Sequence, residues 1–248
     1  METNWRAEKG LEINNYQITF SRIDSKTTTE EQGRRAERLS LVKILDNKTS
    51  DYFLNICDEF HKNNQDFYYN KHKKLHTTLL GFPVVDPVYY GVIKSKIEHY
   101  AEQKKLEDMN VKFDNIRLGT KYQNSSTLDK VNGTSNGTII AFGSTKHNAV
   151  FTNFGNGLAR FLLDDRELMP VIGKKFRRRF PTVWCTMGYY TTDFEIPKDL
   201  ETLFNKYKKL NNAFFQNPRC ELELGTSNYK DLRDWKSIQN FTLPKVMD

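Results

Sequence analysis

Apolar positions recur along the chain with two periods, alternation over short stretches and a three-to-four spacing over longer ones, and they divide it into strands and helices. A short alternation at Tyr16, Ile18 and Phe20 reads as an edge strand, and the Thr-, Glu- and Arg-rich stretch from Thr27 to Arg38 reads as a mobile segment, so residues 1–38 form an N-terminal extension. Leu39 to Leu45 reads as a strand. Ser50 can cap a helix over Asp51 to Lys62, whose Phe53, Ile56, Cys57 and Phe60 share one face. After the aromatic turn Phe67-Tyr68-Tyr69 comes a strand around His76. Asp86-Pro87 then supplies a cap and a first helical residue for a helix with Tyr89, Ile93, Ile97 and Tyr100 as its stripe.

Val111 to Leu118 and Thr138 to Phe142 read as strands separated by a polar loop, Lys121 to Gly137, which is the natural place for a lobe boundary or a flap. Asn153 to Leu168 reads as a helix ended by Pro170. Thr182 to Tyr190 is a strand, Pro197 opens a helix bearing Leu200, Leu203, Phe204, Tyr207 and Leu210, and the alternation of Cys220, Leu222 and Leu224 precedes a last strand over Trp235 to Leu243. Strand, helix, strand and strand follow His76, and the same order follows Trp184. That is the pattern of one supersecondary unit used twice. The fold class expected is α+β: residues 39–248 make a bilobal domain, with one lobe built around the His76 strand and one around the Trp184 strand. Exchange of strands between the lobes is compatible with this order.

Composition narrows the partners. With 248 residues, 38% hydrophobic and 28% charged, the chain is of ordinary globular type, and its 13% aromatic content makes Phe and Tyr major core formers. The net charge of +7 suits an anionic partner such as a nucleotide or RNA, or else a basic solubilising surface. No apolar run is long enough for a bilayer span, and Met1 to Arg6 lacks a signal-peptide core, so the expectation is a cytoplasmic protein without a membrane partner. The three cysteines, Cys57, Cys185 and Cys220, are odd in number and far apart, which fits a reducing compartment. Nothing here specifies an oligomeric state.

The chemistry concentrates in Lys74-Leu75-His76-Thr77-Thr78-Leu79-Leu80-Gly81-Phe82. On a strand His76 and Thr78 project to one face, pairing an imidazole that moves protons near neutral pH with a hydroxyl that can hold a phosphoryl oxygen. A half-buried core histidine would show the same spacing. The run Lys174-Lys175-Phe176-Arg177-Arg178-Arg179 would concentrate anions beside the next strand, with Lys174 and Arg178 as candidate binding residues, or would be a solvated basic stretch. Phe67, Tyr68 and Tyr69 read as an aromatic turn packing under Leu80, or as rings able to stack on bases near the groove. Gly143-Ser144-Thr145-Lys146 holds phosphate-loop ingredients in the wrong order and reads as a turn, and Gly155-Asn156-Gly157 ahead of helical residues is a turn able to approach a phosphate. His61, His72, His99 and His147 form no ligand pattern, so neither a structural metal nor a cofactor is expected.

His76-Thr77-Thr78-Leu79-Leu80-Gly81 resembles the first His-x-Thr/Ser motif of the 2H phosphoesterases, the superfamily of RNA 2′,3′-cyclic phosphodiesterases and 2′-5′ RNA ligases. Trp184-Cys185-Thr186-Met187-Gly188-Tyr189 resembles the second, with Trp184 in the place of its histidine. The resemblance implies two pseudo-symmetric βα lobes whose antiparallel sheets flank a central groove. It also implies metal-independent phosphodiesterase chemistry on 2′,3′-cyclic or 2′-5′-linked nucleotides, with His76, Thr78 and Thr186 as catalytic residues. Breaking a phosphodiester takes a base on one side of phosphorus and an acid on the other. An indole N–H offers a donor and no basic site.

Three readings of Trp184 stand open. Tyr189, Tyr190 or a lysine of the Lys174 cluster replaces the missing acid or base. Alternatively, hydrolysis has been lost and the chain binds a nucleotide, cyclic oligonucleotide or RNA, with Trp184 and Tyr190 among the binding residues and the Trp184 ring stacking on a base. In the third, Trp184 is a core residue.

Overall fold

A computed structural model describes residues 37–65, 67–69, 75–104, 110–120, 135–173, 183–190, 202–203, 205–207, 209–210, 221–228 and 234–242, with the backbone alone at 117–120, 135–138, 145 and 190. The edge strand expected at Tyr16 to Phe20, and Lys174 and Arg178, lie outside these residues. The described strands are β1 (Arg38–Ile44), β2 (Phe67–Tyr68), β3 (His76–Gly81), β4 (Asn115–Thr120), β5 (Ser135–Gly143), β6 (Val183–Tyr190), β7 (Glu221–Ser227) and β8 (Lys236–Thr242). The helices are α1 (Asn47–Asn63), α2 (Tyr90–Glu102), α3 (Ala149–Asp164) and the short α4 (Met169–Ile172).

Local chemistry sets the helix ends. Helix α1 begins earlier than its apolar stripe implies, because Asp46 and not Ser50 is the cap: its carboxylate accepts the Thr49 N–H at 2.7 Å. Asp86 does cap as expected, accepting the Val88 N–H at 3.0 Å, but Pro87–Tyr89 forms a 3-10 turn before α2 starts. Helix α3 stops at Asp164, and Pro170 falls in the first turn of α4, where a missing N–H costs nothing. Gly155 and Gly157 sit inside α3, not in a turn before it. A Cβ on Gly155 would stand 2.7 Å from Leu79 Cδ1, so this glycine lets α3 lie close on β3 and has a packing role, not a phosphate-contacting one.

The strands make two four-stranded antiparallel sheets, ordered β3-β1-β7-β8 and β2-β6-β5-β4. Strands β4 and β5 follow β3 in the chain yet pair beside β6, while β7 and β8 follow β6 yet pair beside β1. Each half of the sequence therefore completes the other half's sheet. The polar loop Lys121 to Gly137 joins the paired strands β4 and β5, so it does not divide the sheets, and the expectation of a lobe boundary there is corrected.

Helices cover one face of each sheet. On the second sheet, α1 buries Phe53, Ile56, Cys57 and Phe60, and the Cys57 thiol lies 3.7 Å from the Met187 carbonyl of β6. On the first, α3 packs on β3 and α2 packs on α3. Leu203, Tyr207 and Leu210 are buried too, and the Leu210 N–H reaches the Asp114 carbonyl at 2.8 Å. One cluster of buried apolar side chains joins both halves, with rings such as Phe53 and Phe113 meeting edge to face at 5.2 Å. Between the sheets, β3 and β6 are the strands that come closest.

Candidate functional site

Strands β3 and β6 repeat each other in register as well as in sequence. His76 lies opposite Ile44 and Thr78 opposite Val42 on β1, after which the register shifts and Leu80 lies opposite Leu41. In β6, Trp184 lies opposite Phe142 and Thr186 opposite Ile140 on β5, after which the register shifts and Gly188 lies opposite Ile139. The residue in excess is Leu79 in one strand and Met187 in the other, each directly after the motif threonine. Such irregularities re-aim neighbouring side chains and concentrate beside active sites.

Burial shows which face these residues use. Thr77 and Leu79 are buried on the helix-covered side of β3, and Val183, Cys185 and Met187 on that of β6, whereas His76, Thr78, Trp184 and Thr186 are all half-buried. The two motif pairs thus occupy the faces of the two sheets that no described helix covers, called open below, on the strands where the sheets meet. Apolar residues flank them, Val42 and Ile44 on one side and Ile140 and Phe142 on the other, and a low-dielectric floor strengthens hydrogen bonds made above it.

After the shift at Met187 the open-face position passes to Tyr189, opposite Thr138, while Tyr190 ends the strand opposite Phe67. Tyr189 is 5% exposed, which leaves its phenol poorly placed to exchange a proton with a ligand. Gly188 is required by β2: a Cβ there would meet the Phe67 ring and stand 2.8 Å from the Tyr68 carbonyl oxygen. Among the described residues no group of three His, Cys, Asp or Glu side chains is disposed to hold a metal ion, and no helix is long and apolar enough to cross a membrane.

Two clusters had no signal in the sequence pattern. At the end of β5, His147 Nδ1 stands 2.7 Å from Asp114 Oδ1 and 3.2 Å from Ser144 Oγ, and Asp114 accepts the Ser144 N–H at 2.7 Å. A nucleophile relay needs serine and aspartate on opposite ring nitrogens. Here both meet Nδ1, so the cluster is a clip closing the turn after β5. At the end of β7, Asp234 accepts the Ser227 hydroxyl and both the backbone and side-chain N–H groups of Asn228, the latter two at 2.9 and 3.0 Å.

These clips make stability depend on pH. Burial pushes the Asp114 carboxyl up, but the Ser144 N–H, His147 and the Ser144 hydroxyl outweigh it and hold it below its ordinary value of 3.8. Asp234 is likewise raised by burial and brought below 3.8 by Ser227 and Asn228. A carboxylate with a depressed folded-state pKa stabilises the fold above its unfolded value and loses that contribution as pH falls through the folded one. Thermal melts between about pH 6 and about pH 2.5 should therefore show a shallower acid loss in Asp114→Asn and Asp234→Asn than in the wild type. Equal acid slopes in all three proteins would contradict the assignment.

No family model and no curated protein matches the chain. Solved structures do match. A Thermus thermophilus protein aligns with 85% of this chain and 100% of its own at 11% identity and a TM-score of 0.56. E. coli LigT in apo form aligns over 84% and 98%, at 11% identity and a TM-score of 0.53. A structure described as a phosphoesterase covers 85% and 100%, at 11% identity and a TM-score of 0.52. The fold is that of the 2H phosphoesterases. In pairing register, Trp184 holds on β6 the place that His76 holds on β3.

Proposed function

We propose that the groove between the sheets recognises the phosphodiester of a 2′,3′-cyclic or 2′-5′-linked nucleotide or oligonucleotide, with Thr78 and Thr186 holding non-bridging oxygens and His76 moving a proton. The observation that carries this reading is the matched register of β3 and β6, which gives the two threonines equivalent open-face positions. E. coli LigT complexed with 3′-AMP, a structure aligning over 85% of this chain with a TM-score of 0.54, supports nucleotide-sized ligands for such a fold.

With Trp184 opposite, the site has one motif histidine. His76 can serve as base or as acid, and the other side of phosphorus is left to water. One positioned proton-transfer group contributes about 10²- to 10⁴-fold to rate, so hydrolysis by this groove is slower than by a two-histidine site by about that factor, and binding is its dominant property. On this reading the chemistry is metal-independent, with His76 as the one proton-transfer group and Thr78 and Thr186 as the clamps.

Calorimetry with 2′,3′-cyclic AMP in EDTA tests the proposal. His76→Ala should weaken binding about tenfold or more, the cost of a hydrogen bond to a charged group, without lowering the melting temperature. Unchanged affinity in that variant would remove His76 from the site.

A further inference from the structure

Trp235 stands immediately before β8, and its ring lies on β7. A Cβ added to Gly225 would come within 2.5 Å of its Cζ2 and 2.7 Å of its Cε2, so the indole occupies the space a side chain at Gly225 would fill. Its Nε1–H donates to Glu223 Oε1 at 2.7 Å. Both β7 residues belong to the open face of the first sheet: Gly225 pairs with Ser40 and Glu223 with Val42, and Val42 pairs in turn with Thr78. Trp235 therefore shares a face with His76 and Thr78.

The ring is also fixed before any ligand arrives. Asp234, the preceding residue, is anchored to Ser227 and Asn228 at the end of β7, the glycine beneath lets the indole lie close to the sheet, and the Glu223 carboxylate sets its orientation. Trp235 nevertheless remains half-buried and not enclosed. Gly81, Ser40 and Gly225 form one row of small residues across β3, β1 and β7, and in the next row the buried Val42 lies between Thr78 and Glu223. Two strand spacings, about 9.5 Å, separate the Thr78 and Glu223 positions, comparable to the reach from phosphate to base in an extended nucleotide.

We propose that Trp235 is the nucleobase platform of this groove: the ligand's phosphate sits at His76 and Thr78 while its base stacks on the indole held by Glu223. The proposal rests on the phosphate-site reading above and adds the part of the ligand that Trp235 selects. Stacking tolerates any base, since each has a π face, so the platform favours nucleotides over bare phosphates without choosing a sequence. It also assigns the stacking role to Trp235, leaving Trp184 as the residue that replaces a proton donor or acceptor.

Calorimetry on the full chain, with 2′,3′-cyclic AMP and inorganic phosphate as separate ligands, tests this with Trp235→Ala, Trp235→Phe and His76→Ala. Trp235→Ala should weaken nucleotide binding roughly tenfold while phosphate affinity stays within about twofold, and Trp235→Phe should recover most of the loss. Equal weakening of both ligands by Trp235→Ala would mark a structural role and overturn the platform, as would unchanged nucleotide affinity. The phosphate reading fails separately: nucleotide binding that depends on Trp235 but not on His76 would leave the platform standing and displace the phosphate. A wild-type chain that binds neither ligand would overturn both.

Discussion

Trp184→His should raise the turnover of 2′,3′-cyclic AMP by about 10²- to 10⁴-fold in the presence of EDTA, the gain expected of one added and positioned proton-transfer group. Residue 184 pairs with Phe142 as His76 pairs with Ile44, both lie two residues before a threonine, and both precede the same register shift. An imidazole at 184 would thus occupy the position related to His76 by the pseudo-symmetry of the two sheets. The variant should also acquire a bell-shaped pH–rate profile, one limb for each histidine, and His76→Ala in the same background should abolish the gain. Because the position is half-buried on an open face, exchanging a tryptophan for a histidine there spares the helix-covered core. A folded Trp184→His protein with wild-type turnover would show that the two strands do not address one phosphorus atom.

Much of this arrangement is readable from residue order, and the remainder has identifiable causes. The two motif strands show themselves through alternation, since Leu75, Thr77 and Leu79, and likewise Val183, Cys185 and Met187, face helices while the intervening residues do not. Helix stripes such as Phe53, Ile56, Cys57 and Phe60 are equally plain. Pairing across the chain is not: nothing local to β4–β5 or β7–β8 states that each hairpin completes the sheet of the opposite half. One-residue register shifts are also silent in the sequence, because Leu79 and Met187 look like any other buried strand residue. The shift at Met187 is what gives Tyr189 the open-face position. Caps compete at close range, and Asp46 prevails over Ser50 because its carboxylate meets the Thr49 N–H, while the Ser50 hydroxyl turns to the Leu45 carbonyl at 3.4 Å.

Gly155 and Gly157 illustrate the opposite hazard. Glycine pairs suggest a turn because glycine disfavours helix interiors, yet tertiary packing overrides that preference where Leu79 and Tyr100 come close to α3. Trp235 carries no motif at all. Its placement depends on Gly225, ten residues earlier in sequence and adjacent only once β7 and β8 pair. The proposed site is therefore read from two short motifs, and its extent only from a sheet surface.

On the proposed reading, Thr78 and Thr186, brought in by different sheets, hold the same phosphate. A double-mutant cycle of Thr78→Val and Thr186→Val on the affinity for 2′,3′-cyclic AMP tests it most directly. Each substitution removes a hydrogen bond to a charged group and should weaken binding about tenfold or more. Residues that share a partner couple by about 0.5 kcal/mol or more, whereas distant independent ones add. The double variant should depart from the product of the single effects by at least this coupling. Effects that multiply within error, or an affinity untouched by either substitution, would contradict it.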